Sequence, residues 1–330
     1  MVWLKFLVST ILIVLAAYQL AKYGDVIAIR TRLGGMFIGL LLLAGATSLP
    51  ELLTTINSLS QGVPNLAAGN LLGSNLFNMF LLAILDLMHR NERILRKAAL
   101  KHALTGSLTV FLIGLVVFFI LADIDLKIGW MGVDSLIILL VYVVSIRLIQ
   151  ANQTHGSSLP QIEPEIPTGT PPLWQGLAGF GAAALGLVIV TPWMVSASAE
   201  IAKITGLGTT FVGTTLVAVV TSLPELVTTL AAVKLGANDM AIGNLFGSNL
   251  FNMFALGLTG LFFLPGRFLG IIDPAFLLVG VLGLLMTGLG LIGNLARLER
   301  RVLFIEIDAL VLMVMYFGGL WLLYSQGITP

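Results

Sequence analysis

Apolar runs of about 20 residues, separated by short polar stretches, follow one another along the whole chain. A run of that length predicts a helix that crosses the hydrocarbon layer of a membrane. The first run resembles the apolar part of a signal peptide, but its length and its weakly basic flank favour a retained helix. Ten helices are predicted, near residues 4–20, 33–59, 65–88, 99–121, 128–149, 173–198, 207–233, 238–263, 271–293 and 303–324. The predicted fold class is an all-α polytopic membrane protein.

A polar stretch at residues 151–172 divides the ten predicted helices into two sets of five. Asn, Gln, Ser, Thr and Pro dominate it, a composition typical of a solvated linker. The predicted organisation is a first membrane repeat at residues 1–150, the linker at 151–172, and a second membrane repeat at 173–330.

Two polar motifs interrupt the apolar runs, and both occur twice. Thr-Ser-Leu-Pro-Glu ends at Glu51 and again at Glu225, and Gly-Ser-Asn-Leu-Phe-Asn ends at Asn78 and again at Asn252. Each second copy follows the first by the same 174 residues, which indicates an internal duplication. Because five helices is an odd number, the second repeat inserts upside down relative to the first. Inverted repeats of this kind are typical of secondary transporters, whose substrate site lies at the repeat interface near the membrane midplane.

Composition and charge support the membrane class. The chain is 58% hydrophobic and 10% charged, with a mean hydropathy of +1.03. A net charge of +1 gives no case for nucleic-acid binding, and a chain with no cysteine offers no disulfide or thiolate metal site. Thirteen of the 17 Lys and Arg residues fall on the linker face of the ten-helix topology. This asymmetry predicts a cytoplasmic linker with both termini outside, and we expect the plasma (inner) membrane of a prokaryote.

The repeated motifs place oxygen ligands beside two predicted helix breaks. Pro50 and Pro224 lack a backbone N–H, so each breaks or kinks its helix and frees carbonyl oxygens. An ionisable Glu51 or Glu225 within a membrane indicates function, because its insertion costs at least about 2.5 kcal/mol. Carboxylate, hydroxyl and amide oxygens without nitrogen or sulfur ligands favour a hard cation such as calcium. Two carboxylates balance one divalent ion, and their repulsion without it favours sodium ions or protons as replacements, which is the physical basis of antiport.

The doubled motifs resemble the two alpha repeats of the sodium/calcium exchanger family, within the cation/calcium exchanger superfamily, in its prokaryotic type without cytoplasmic regulatory domains. The resemblance implies a secondary active antiporter that exchanges calcium for sodium by alternating access. In this family a gate of two helices, here the first and sixth, slides across a static core of eight. Calcium and sodium are then substrates within a lipid bilayer, and no cofactor, nucleic acid or obligatory protein partner is expected. The metal-binding residues implied by the resemblance are Glu51, Glu225, Thr47, Ser48, Thr221, Ser222, Asn78, Asn252, Ser74, Ser248, Ala44 and Ala218.

Alternatives to this interpretation stay open. Family members with defined sodium coupling carry Asp at the position of Asn252, so a proton/calcium or other divalent cation exchanger on the same scaffold is the alternative. A cation channel, which needs a ring-like filter, is less favoured. An intramembrane enzyme would need a nucleophile and base beside the glutamates, and every histidine is peripheral to the motifs. Asn70 and Asn244 are equally well explained as hydrogen-bonding contacts between helices.

Overall fold

The computed structural model describes residues 1–31, 44–88, 94–156, 169–234, 237–295, 301–302 and 305–327. Its helices are α1 (Val2–Thr31), α2 (Leu49–Ser60), α3 (Pro64–Met88), α4 (Ile94–Ala122), α5 (Val133–Gly156), α6 (Leu173–Thr205), α7 (Gly208–Val212), α8 (Ala218–Thr221), α9 (Leu223–Lys234), α10 (Asn238–Phe262), α11 (Phe276–Leu295) and α12 (Ile307–Gly327). A π-helical segment (Gly213–Val217) joins α7 to α8, and a 3₁₀ turn (Phe268–Gly270) precedes α11.

Eight of the described helices are long and apolar enough to cross a membrane: α1, α3, α4, α5, α6, α10, α11 and α12. A ninth span results if Gly208–Thr221 and Leu223–Lys234 are taken together, since these two pieces are bent by 41° at their junction. The predicted span at 33–59 falls partly on residues 32–43, which lie outside the described residues. The multi-pass helical membrane architecture is therefore confirmed, and the count of ten stays a prediction.

Several helices are longer than the apolar runs that predict them. The helix α1 continues to Thr31 rather than ending near residue 20, and Arg30 near its end donates Nε to the carbonyl oxygen of Pro171 at 2.8 Å. The helix α5 continues to Gly156, so its last six residues belong to the segment 151–172 that the composition assigns to a linker. Polar residues signal contact with water and headgroups, and a helix can continue through them.

Within the described residues, two short antiparallel hairpins modify the all-α prediction. The first pairs β1 (Lys127–Ile128) with β2 (Met131–Gly132), and the second pairs β3 (Arg301–Val302) with β4 (Ile305–Glu306). Gly129, at a φ of 65°, lies in the turn of the first hairpin, where a residue without Cβ adopts the left-handed region at no steric cost. Strands of two residues are too short to show the alternation of apolar and polar residues by which a strand is recognised in a sequence.

The helices form two packed groups. The first hydrophobic cluster joins α3, α4, α10, α11 and α12, with Phe246, Met79 and Phe276 fully buried in it. The second cluster lies mainly between α1 and α6 and contains Ile13 and Leu187. These two helices are antiparallel, because the end of α1 meets the start of α6 while Lys5, near the start of α1, donates to Ser196 in the last third of α6. A two-helix unit thus packs beside a larger helical core.

Candidate cation site

Two helices break immediately before the motif glutamates. Residues 44–47 are helical, Ser48 leaves the helix with φ −91° and ψ 7°, and α2 resumes at Leu49. Ser222 does the same between α8 and α9, with φ −89° and ψ 6°. The predicted breaks at Pro50 and Pro224 are confirmed, and each falls two residues before its proline. Each glutamate therefore lies in the first turn of a new helix, beside the carbonyl groups that the proline leaves without a donor.

The structure places every predicted site residue in the protein interior. The side chains of all twelve residues are 0% exposed, including both carboxylates. In the part of the chain that the structure describes, no basic side chain pairs with Glu51 or Glu225. A buried carboxylate without a counter-charge costs several kcal/mol, so the site requires cations or protons to balance it.

Hydrogen bonds connect the two halves of the site reciprocally. Ser48 Oγ donates to Glu225 Oε1 at 2.7 Å, and Ser222 Oγ donates to Glu51 Oε1 at 3.0 Å. Since Ser222 and Glu225 follow Ser48 and Glu51 by 174 residues, each bond is the repeat-related copy of the other. Each glutamate is thus oriented by the serine at the other helix break.

Four buried oxygen atoms at this site have no hydrogen-bond partner among the described residues: Glu51 Oε2, Glu225 Oε2, Asn78 Oδ1 and Asn252 Oδ1. Each glutamate therefore uses one oxygen for its serine and keeps the other available. Leaving a buried acceptor unsatisfied costs about 1–3 kcal/mol, and more for a charged group. Unsatisfied carboxylate and amide oxygens contributed in equal number by the two repeats are the donor set that a hard cation prefers.

The remaining predicted ligands are present but are not equivalent between the repeats. Ser248 Oγ donates to Glu225 Oε1 at 3.2 Å, whereas Ser74 Oγ lies 3.4 Å from the carbonyl oxygen of Ala218. That carbonyl also accepts the hydroxyl of Thr221 at 3.2 Å. In the first repeat the carbonyl oxygen of Ala44 accepts the hydroxyl of Thr47 at 3.1 Å. The alanine carbonyls and threonine hydroxyls are therefore already linked to each other at both breaks.

Close approach of the helix backbones at glycines brings these groups together. A Cβ on Gly73 would lie 2.4 Å from the carbonyl oxygen of Thr214, and one on Gly247 would lie 3.0 Å from Ala44 Cβ. Gly73 thus permits a tight helix crossing, because backbone atoms occupy the space that a side chain at position 73 would need.

Sequence reasoning missed several residues of the site. Asn75 and Asn249 bond directly to the predicted ligands Asn252 and Asn78, and their repetition within the second motif is the signal that could have found them. Asn70, which the sequence leaves open as a contact between helices, does make such contacts. It donates to the carbonyl oxygen of Glu51 at 2.9 Å and accepts from Thr221 Oγ1 at 2.9 Å, so it links α3 to both helix breaks. The π-helical segment Gly213–Val217 widens the backbone just before Ala218, and such segments are frequent at functional sites.

Comparison with known proteins agrees with this geometry. The chain is 28% identical over 338 residues to a putative antiporter, CaxA, of Alkalimonas amylolytica, covering 97% of this chain and 98% of that protein. It is 49% identical over 78 residues to the sodium/calcium exchanger MaX1 of Methanosarcina acetivorans, which covers 23% of this chain and 22% of that one. A structure of the sodium-calcium exchanger NCX_Mj soaked with sodium and strontium ions shares the fold, with a TM-score of 0.58 at 23% identity over 97% of this chain and 99% of that one.

A family model described as sodium/calcium exchanger protein matches residues 1–149 and 175–325, which include both helix breaks and both glutamates. That family consists of membrane transporters and not of enzymes. Because the match covers nearly the whole chain, this protein belongs to the sodium/calcium exchanger protein family.

Proposed function

We propose that this protein is a secondary active antiporter that exchanges calcium for sodium across the membrane at the site between the two helix breaks. The observation that carries the proposal is the set of unsatisfied buried oxygens, Glu51 Oε2, Glu225 Oε2, Asn78 Oδ1 and Asn252 Oδ1. Two carboxylates balance one divalent ion, and calcium accepts about 6–8 oxygen ligands in flexible geometry. The twelve residues implied by the family resemblance form the proposed ion site, which needs no cofactor.

The proposal includes ten membrane helices in two inverted five-helix repeats. Its support is the antiparallel packing of α1 against α6, together with the reciprocal bonds between Ser48 and Glu225 and between Ser222 and Glu51. An inverted repeat places equivalent residues on opposite sides of one central site, which is the arrangement needed to load ions from either face.

Alternating access is supported by a difference between the two halves. Asn57 Nδ2 on α2 donates to Thr191 Oγ1 on α6 at 2.7 Å, and Leu53 is partly buried in the same region. The positions 174 residues later are Ala231, whose side chain has no hydrogen-bond donor, and Val227, which is 39% exposed. The surface of α2 is therefore bonded to α6 of the two-helix unit, whereas the equivalent surface of α9 is exposed. Exchanging these two arrangements would open and close the two faces in turn.

The proposal is tested by calcium uptake into proteoliposomes containing the purified protein. We expect uptake to follow an opposing sodium gradient at fixed pH and to reverse when that gradient is reversed. Uptake driven by a pH gradient and unaffected by sodium would establish proton/calcium exchange on the same scaffold and overturn sodium coupling. Uptake indifferent to both gradients would indicate a channel and overturn antiport altogether.

We further propose that the protein lies in the plasma (inner) membrane of a prokaryote with both termini outside and the linker in the cytoplasm. Because the chain contains no cysteine, single cysteines report accessibility directly. A cysteine at Asp125, whose side chain is 69% exposed, should react with an impermeant thiol reagent applied to intact cells. A cysteine at Ser157, which lies outside the described residues, should react only after the cells are opened. The opposite labelling pattern contradicts this orientation.

A further inference from the structure

Four asparagine side chains meet where α3 crosses α10. Asn78 Nδ2 donates to Asn249 Oδ1 at 2.9 Å, and Asn252 Nδ2 donates to Asn75 Oδ1 at 3.1 Å. All four are at most 1% exposed. A side-chain amide has one donor end and one acceptor end. The partner that accepts a hydrogen bond from its nitrogen therefore also determines where its oxygen lies. Asn249 and Asn75 thereby determine which atoms Asn78 and Asn252 keep for a cation.

The two supporting asparagines are not equivalent. Asn249 is bonded at both ends, because its Nδ2 also donates to the backbone carbonyl oxygen of Asn75 at 3.3 Å. Turning its amide over would bring two oxygens together and lose both bonds. Asn75 uses only its oxygen, and its Nδ2 is buried with no partner among the described residues. Turning the Asn75 amide over therefore breaks only the bond to Asn252, and that bond re-forms in the opposite sense if Asn252 turns with it.

We propose that Asn75 and Asn249 are positioning residues of the cation site, an inference that rests on the proposed function. Asn249 holds Asn78 in one orientation, with its carbonyl oxygen available to the transported ion. Asn75 holds Asn252 reversibly, and its unused Nδ2 can donate to a carboxylate at position 252. The position of Asn78 is thus restricted to a neutral oxygen ligand, whereas position 252 accepts a neutral or a charged one. Asn75 therefore allows either a neutral or a negatively charged ligand at position 252.

Equilibrium binding of radioactive calcium to the purified protein tests the positioning role. We expect N249L, which removes both ends of the fixed amide at similar volume, to weaken calcium binding about tenfold. If Asn249 acts through Asn78, N249L should change binding less than about threefold when N78A has already removed the ligand oxygen. Losses that multiply fully in the double variant would show a general structural role and overturn the proposal.

A second pair of variants keeps the inference testable if N249L does not fold. N78D and N252D are isosteric changes at repeat-related positions. Thermal unfolding in detergent is measured first, to check that both variants fold. Because Asn75 can donate to a carboxylate and Asn249 cannot turn, we expect N78D to weaken calcium binding at least about tenfold more than N252D. In an N75L background this difference should disappear. Equal effects in the wild-type background overturn the inference but leave the proposed function standing, whereas full calcium binding by E51Q and E225Q overturns the function itself.

Discussion

Replacing Glu51 or Glu225 by Gln is expected to abolish calcium exchange while the protein still folds. Both side chains are 0% exposed, and each keeps one carboxylate oxygen without a hydrogen-bond partner in the described part of the chain. Gln preserves the shape and the oxygen that accepts from Ser222 or Ser48, but it removes half of the negative charge. Removing one partner of a buried charge interaction costs roughly 3–5 kcal/mol, or about two to four orders of magnitude in calcium affinity.

The measurement is sodium-driven calcium uptake together with equilibrium calcium binding by the purified variants. Glu200→Gln is the matched control, because Glu200 is an exposed residue of α6 and undergoes the same chemical change. It should transport as the wild type does. Near wild-type exchange by either site variant would show that the transported ion binds elsewhere.

The local features of this site follow from the sequence. Pro50 and Pro224 each remove one backbone donor next to a glutamate, and this repeated pairing indicates the helix breaks. Proline alone does not, because Pro192 lies inside the continuous helix α6. The exact repetition of the motifs indicates that both glutamates serve one site, and the structure buries both completely. Local chemistry and internal repetition therefore indicate the breaks and the two carboxylates, whereas the full set of twelve ligands is what the family resemblance implies.

Features that depend on how helices cross could not be predicted in this way. The π-helical segment Gly213–Val217 widens one turn of the helix and so rotates the residues that follow it. Its sequence, Gly-Thr-Thr-Leu-Val, contains no signal for this change. The bonds of Asn75 and Asn249 depend on the relative rotation of α3 and α10, which a list of polar residues does not fix. The segment at residues 32–43 carries part of the predicted second span and lies outside the described residues, so the tenth helix rests on sequence alone.

A buried ion pair between two residues that are distant in the sequence, Arg267 and Asp134, is a further feature that the sequence alone does not predict. Arg267, in the loop before α11, donates Nε to Asp134 Oδ2 at 2.7 Å and a terminal nitrogen to the carbonyl oxygen of Phe119 at 2.6 Å. A second terminal nitrogen reaches Asp123 at 2.5 Å. Burial disfavours the charged guanidinium, but its bonds to the two aspartates raise the pKa of Arg267 above its usual value, so the guanidinium keeps its charge. The loop is thereby joined to the end of α4 and the start of α5.

Arg267→Leu is expected to destabilise the protein by roughly 3–5 kcal/mol, because it leaves the carboxylate of Asp134 buried without its counter-charge. The Asp134 side chain is 1% exposed in this pair, so water cannot replace the guanidinium. Unfolding of the purified protein in mixed micelles measures the loss. The matched control is Lys127→Leu, since Lys127 pairs with Asp125 at 3.0 Å with side chains 40% and 69% exposed, and such surface pairs contribute at most about 1 kcal/mol.

The double variant Arg267→Leu with Asp134→Leu separates charge burial from packing. Replacing both partners of a buried ion pair by apolar side chains is often nearly neutral, so the second change should restore much of the stability that the first removes. An Arg267→Leu variant as stable as the Lys127→Leu control would show that Asp134 is solvated and that the ion pair does not hold this loop in place. Additive losses in the double variant would instead assign the destabilisation to packing around Arg267 and contradict the electrostatic explanation.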